Sequence, residues 1–158
     1  MDHNSFTNFT WANAYQTGSQ VATGNLNTWT IFAPTISLNN NPNNIFQVYR
    51  NNIYFGNNNT GKFLVNCSFN SDGATNDNLG FKILYSYSGT VIENSICKWN
   101  SKGGNTWSVN HSVVIDVDQA RFEDPAFKFG ELLIYTTNFT DSANFNISNL
   151  NINIMRLL

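Results

Sequence analysis

Apolar and polar residues alternate along most of the chain with a period of two, the pattern of a half-buried β-strand. Lys62 to Asn70 is the clearest case: Phe63, Val65, Cys67 and Phe69 fall on one face, Leu64, Asn66 and Ser68 on the other. Phe81, Ile83, Tyr85 and Tyr87 align in the same way, and Ser88-Gly89 marks a hairpin turn into Val91 to Trp99. Trp107 to Asp118 and Gly130 to Thr137 predict further strands. In Asn144 to Leu158, Phe145 and Ile147 are in one phase, and Leu150, Ile152 and Ile154 are in the other. The break at Ser148-Asn149 predicts a β-bulge. Thr28 to Leu38 is also strand-like, but Pro34 removes a ladder donor and either confines it to an edge or splits it.

Helix signals are sparse; Asp118 to Phe127 holds at most a short turn, interrupted by Pro125. Asn-rich turns occupy residues 39–44 and 56–61, and Gly103-Gly104 marks another. Eight to ten strands without crossover helices predict an all-β, antiparallel jelly-roll sandwich over residues 27–158. The closing strand, ending in M-R-L-L, is expected in the middle of a sheet or at an oligomer seam. Residues 1–26 are less regular and read as an extended N-terminal arm or linker.

Composition narrows the chemistry. Of 158 residues, 29 are Asn, only 11% are charged and 15% are aromatic. The aromatic content argues against disorder. A net charge of −2 with scattered basic residues argues against a nucleic-acid partner. No apolar run suggests a membrane span, and the polar start lacks the basic and apolar regions of a secretory signal. Six N-x-[ST] sequons occur, at Asn8, Asn58, Asn66, Asn110, Asn138 and Asn146, about the number that so much Asn, Ser and Thr yields by chance.

Catalytic groups are few. His3 and His111 are the only histidines, and no nucleophile elbow accompanies His111. Cys67 and Cys97 are expected as reduced thiols; with two histidines they make a poor zinc set. Asp116 and Asp118 share a strand face and are the best candidates for Ca²⁺, with solvated strand-end carboxylates as the plainer reading. No catalytic residue, metal or cofactor is expected. Trp99 and Trp107 are candidates for stacking on glycans, against a role in core or interface.

Several segments together resemble a known family. Thr60-Gly61-Lys62-Phe63-Leu64-Val65-Asn66 leads to Gly80-Phe81-Lys82-Ile83-Leu84-Tyr85, then to Gly89-Thr90-Val91-Ile92 and Ser112 to Val117. This resembles the jelly roll of tumour necrosis factor and the complement globular heads, as found in phage and viral fibre or spike heads. Val117-Asp118-Gln119 departs from the family's Gly-Asp at that point. The resemblance implies a trimer with aromatic and aliphatic residues on its axis, and no catalysis. The candidates for that interface are Val113, Ile115, Ile152, Ile154 and Leu157. Abundant Asn, Ile, Phe and Tyr also fit an AT-rich coding sequence, common among viruses and phages.

The expected function is therefore that of a virion structural protein: a capsid decoration, spike or fibre head. It would form a homo-oligomer, contact other virion proteins through its arm, and meet a host glycan or receptor at the virion surface. A pentameric vertex capsid protein and a monomeric carbohydrate-binding module are the alternatives.

Overall fold

The computed structural model describes residues 11–40, 46–49, 52–55, 61–73, 75–87, 90–102, 106–117 and 131–157. Twelve strands run through these residues, and no helix does. They are β1 (Trp11–Gln16), β2 (Gln20–Ala22), β3 (Thr30–Ile31), β4 (Ile36–Asn40), β5 (Phe46–Tyr49), β6 (Asn52–Phe55), β7 (Gly61–Asp72), β8 (Asp77–Tyr87), β9 (Thr90–Ser101), β10 (Trp107–Val117), β11 (Glu131–Asn138) and β12 (Phe145–Arg156). The first sheet has the order β10-β7-β12-β1-β4, with β2 also on β12. The second has the order β5-β6-β11-β8-β9, with β3 also on β11. All the strand pairings are antiparallel. The result is the jelly-roll sandwich that the alternation predicts.

The core follows the same parity. Phe63, Val65, Cys67 and Phe69 of β7 face Phe81, Ile83 and Tyr85 of β8 across the sandwich, all essentially buried. Phe69 and Phe81 pack with ring centroids 4.7 Å apart. Strand β12 is central in its sheet, between β7 and β1. Its register shifts between Ser148 and Asn151, and Asn149 takes φ 53°, a left-handed conformation that Asn tolerates. That bulge buries Phe145 and Ile147 before it and Leu150, Ile152 and Ile154 after it.

Pro34 splits its segment in two. β3 pairs with β11 in the second sheet, whereas β4 pairs with β1 in the first, so the chain changes sheets at the proline. The arm reading of residues 11–26 needs correction: β1 pairs along its length with β12, from Trp11↔Met155 to Tyr15↔Asn151, and Ala12 and Ala14 are fully buried. Small side chains there give little hydrophobic signal, although they let the strand lie flat on the core. Residues 1–10, the turn at Ser88-Gly89, Asp118 to Phe127 and the two Asn-rich turns lie largely or wholly outside the described residues.

One core hydroxyl is costly. Thr136 of β11 is fully buried, and its Oγ1 has no hydrogen-bond partner among the described residues. Thr136→Val, which keeps the shape and removes the unpaired group, is expected to stabilise the fold by about 1 kcal/mol. That corresponds to a rise in melting temperature of about 2–4 °C, readable by calorimetry. A fall in melting temperature would show that the hydroxyl is satisfied in solution.

Candidate binding surfaces

The groups singled out for chemistry are not brought together. His111 is on the inward face of β10, 9% exposed, with its ring edge-on to Phe81 at 6.0 Å. Burial lowers its pKa from the ordinary 6.5. The folded chain thus favours the neutral ring, whereas the unfolded chain takes up a proton near pH 6.5. Stability that is fully present above that pH is lost as pH falls below it. The melting temperature is expected to drop between about pH 7 and 5, and His111→Gln to flatten that slope. An unchanged slope in the variant would assign the effect to other groups.

Cys67 is fully buried, and burial pushes its thiol pKa far up. Cys97 is half-buried and shifted in the same direction. Both are free thiols. Asp116 is exposed on β10 opposite Lys62, and Asp118 lies outside the described residues. Among the described residues no group of three His, Cys, Asp or Glu side chains could hold a metal ion. No helix there is long and apolar enough to cross a membrane.

Four of the five interface candidates are placed inside the chain. Val113, Ile115, Ile152 and Ile154 are at most 5% exposed and belong to the core between the sheets. A side chain already enclosed by its own chain cannot form a seam with another. Leu157 is half-buried, and its backbone N–H donates to the carbonyl of Lys62. Trp99 is partly buried, edge-to-face with Phe69 at 5.5 Å and with Phe145 at 6.1 Å. Trp107 is exposed at the start of β10, an edge strand. The two tryptophans do not share a lining.

The outward face of the first sheet carries a different set. Val114, Leu64, Met155 and Trp11 stand side by side on four neighbouring strands, through the registers Val114↔Leu64, Leu64↔Met155 and Met155↔Trp11. Val114 is 52% and Trp11 49% exposed. The next row is polar: Ser112, Asn66, Asn153, Asn13 and Asn40. Within it the Asn66 amide donates to Ser112 Oγ at 2.7 Å, and the Asn13 amide to Asn153 Oδ1 at 2.8 Å. A cleft of about 270 Å³ between the rows is lined by Trp11, Leu64, Asn66, Asn153, Ile154 and Met155. The sequence does carry a trace of this apolar row. Leu64, Val114 and Met155 interrupt the polar half of strands whose other half is core.

The outward face of the second sheet has an aromatic cluster over Gly80. A Cβ built there would come within 2.9 Å of Phe139, Thr137 and Trp29, so the bare backbone is what lets these side chains settle. Trp29 and Phe139 meet edge-to-face at 5.8 Å. Lys82 Nζ is 4.5 Å from the Trp29 ring centre and 5.6 Å from that of Tyr135. Lys98 Nζ is 4.6 Å from the ring centre of Phe139. Beside them an open concavity of about 500 Å³ is lined by Asn78, Lys98, Trp99, Asn100 and Phe139.

No protein-family model and no curated protein sequence matches the chain. Solved structures do match its fold. Murine APRIL at pH 5.0 superposes with a TM-score of 0.67 at 7% identity, over 94% of this chain and 99% of that one. Eiger TNF from S. frugiperda gives 0.66 at 10% identity, over 95% and 93%. The PRD1 vertex protein P5 gives 0.57 at 12% identity, over 94% and 97%. The architecture is therefore a TNF-like jelly roll, spanning nearly the whole of the chain and of each of these neighbours.

Proposed function

We propose that the chain is a non-enzymatic head domain of a virion, a decoration, spike or fibre head, that assembles as a homotrimer for display or host attachment. The observation that carries the assembly is the apolar row Trp11–Met155–Leu64–Val114 on the outward face of the first sheet, exposed at Trp11 and Val114 and half-buried at Met155 and Leu64. Four large apolar side chains in register across four strands gain by burial against a like surface. The polar row beside them supplies hydrogen-bonding groups that fix register. The trimer itself is what the resemblance to tumour necrosis factor implies, and the fold agrees with that resemblance. The virion assignment draws on the fold shared with the PRD1 vertex protein P5 and on the Asn-rich, low-charge composition. Residues 1–10 would then carry the link to other virion proteins.

Size-exclusion chromatography with light scattering tests the assembly. A mass of three chains is expected, and Leu64→Arg is expected to give a folded monomer, because Leu64 is on the outward face, outside the core. A five-chain mass would replace the trimer by a pentameric vertex capsomer. A wild-type monomer would overturn self-association and favour the carbohydrate-module alternative. An antiserum labelling the surface of intact particles is the outcome expected for the virion role; labelling confined to the cell interior would count against it.

A further inference from the structure

We infer that the concavity on the outward face of the second sheet is a binding site for a carboxylated sugar ring, formed by Asn78, Lys98, Asn100 and Phe139. This gives the attachment part of the proposed function a ligand class and rests on that reading. All of its residues come from one chain.

Three features of the site complement such a ring. The first is the pair of amides. The Asn100 amide donates to Asn78 Oδ1 at 3.1 Å, which fixes both planes. An amide has two N–H donors and a two-lone-pair carbonyl, so the pair keeps donors on Asn78 and an acceptor on Asn100 for neighbouring hydroxyls. The backbone holds Asn78 as well: its N–H donates to Thr140 Oγ1 at 2.8 Å, and its carbonyl accepts from the Phe139 N–H at 2.7 Å. The Asn78 and Phe139 walls of the concavity are thus joined to each other.

The second feature is the cation. Lys98 is exposed, and its Nζ sits over Phe139, which restrains its reach towards the concavity. An ammonium over a ring keeps donors for an anionic oxygen. The third is the apolar wall. Phe139 lines the concavity with a half-buried ring, which suits the C–H face of a saccharide, whereas the Trp99 ring packs inward on Phe69 and Phe145. Trp29 braces Phe139 from the side. At about 500 Å³ the space accommodates one or two sugar units and is within the usual range of small-ligand sites. Trp107, the more exposed tryptophan, is not among the lining residues.

The test titrates the full chain with N-acetylneuraminic acid and glucuronic acid, and with glucose and galactose as neutral counterparts. Saturation-transfer NMR and tryptophan fluorescence report binding, and light scattering runs in parallel. Both acidic sugars are expected to bind more tightly than the neutral ones. Lys98→Gln is expected to weaken the acidic sugars by about tenfold, the size of one lost charge-assisted hydrogen bond, and to weaken the neutral ones much less. Asn78→Ala is expected to weaken all four. If only one acidic sugar binds, the shape of the ring selects within the class and the inference stands. No saturation transfer from any sugar, or binding that neither variant alters, would overturn it. Binding by a chain that scatters as a monomer would sustain this site while refuting the trimer. A trimer that ignores every sugar would refute this site alone.

Discussion

Asn138→Ala is expected to cost about 3 kcal/mol or more, lowering the melting temperature by roughly 10 °C. The residue is fully buried at the end of β11. Its side-chain amide donates to Asp77 Oδ2 at 2.8 Å, to Asp141 Oδ1 at 2.9 Å and to the Ala143 carbonyl at 3.2 Å. Its side-chain oxygen accepts from the backbone N–H groups of Thr140 and Asp141, at 2.8 and 3.1 Å. One side chain therefore joins the start of β8 to the turn between β11 and β12. Asp77 is only 4% exposed, and truncating its donor leaves a buried carboxylate without that hydrogen bond. Asn138→Asp should be worse at neutral pH, because it sets a third carboxylate against Asp77 and Asp141. Like charge raises the pKa of the introduced group, so its deficit should shrink as the pH falls towards that raised value. Asn66→Ala, which removes an amide from the outward face, is the control and should cost under about 1 kcal/mol. Equal melting temperatures for Asn138→Ala and the control would show that the turn is held by other contacts. The same burial bars the Asn138 sequon from glycosylation in the folded chain.

Gly24→Ala is the second large effect. A Cβ at this position would come within 1.7 Å of the Ala143 carbonyl oxygen and 2.6 Å of its carbon. Both atoms are backbone, so no rotamer relieves the overlap, and the two segments must separate. β2 and the beginning of β12 pair just beyond this point, through Phe145↔Ala22 and Asn146↔Val21. Overpacking of this kind costs about 3 kcal/mol, with the damage concentrated locally. Hydrogen exchange should accelerate at Val21, Ala22 and Phe145 while β7 and β8 keep their protection. Adding Ala143→Gly should not rescue the variant, since the clash is with the carbonyl. Rescue by that second change would show that the obstruction is a side chain.

Much of the fold was legible because the strands obey parity. Phe63 to Phe69 and Phe81 to Tyr85 declare their buried faces in alternation, and the phase break at Ser148-Asn149 marks the bulge. Pro34 was legible as a discontinuity, although a missing donor does not say that the chain will cross to the other sheet. β1 was hidden because its inward residues are Ala12 and Ala14, whose small size suits a flat approach but leaves no amphipathic signal. Four of the interface candidates are core residues for a related reason. Val113, Ile115, Ile152 and Ile154 form the strongest apolar series in their strands, and the strongest series marks the core. The proposed seam is written more faintly, in residues such as Leu64 and Val114 that break a polar face. Side chains gathered from separate strands and a turn, such as Asn78, Lys98 and Phe139, become visible as neighbours only when the registers are known.

The place of β12 between β7 and β1 also governs when the fold can form. Residues 61–72 and 11–16 have no pairing with each other; each waits for residues 145–156. A nascent chain can make the β8–β9 hairpin early, yet the first sheet cannot close until its latest-made strand arrives. Pairings this distant in sequence are slow to form. During that interval the long edge of β7 and the short edge of β1 are open to the wrong partners. On the outward face of β7, Lys62, Asn66, Ser68 and Asn70 keep that waiting strand hydrated in the meantime.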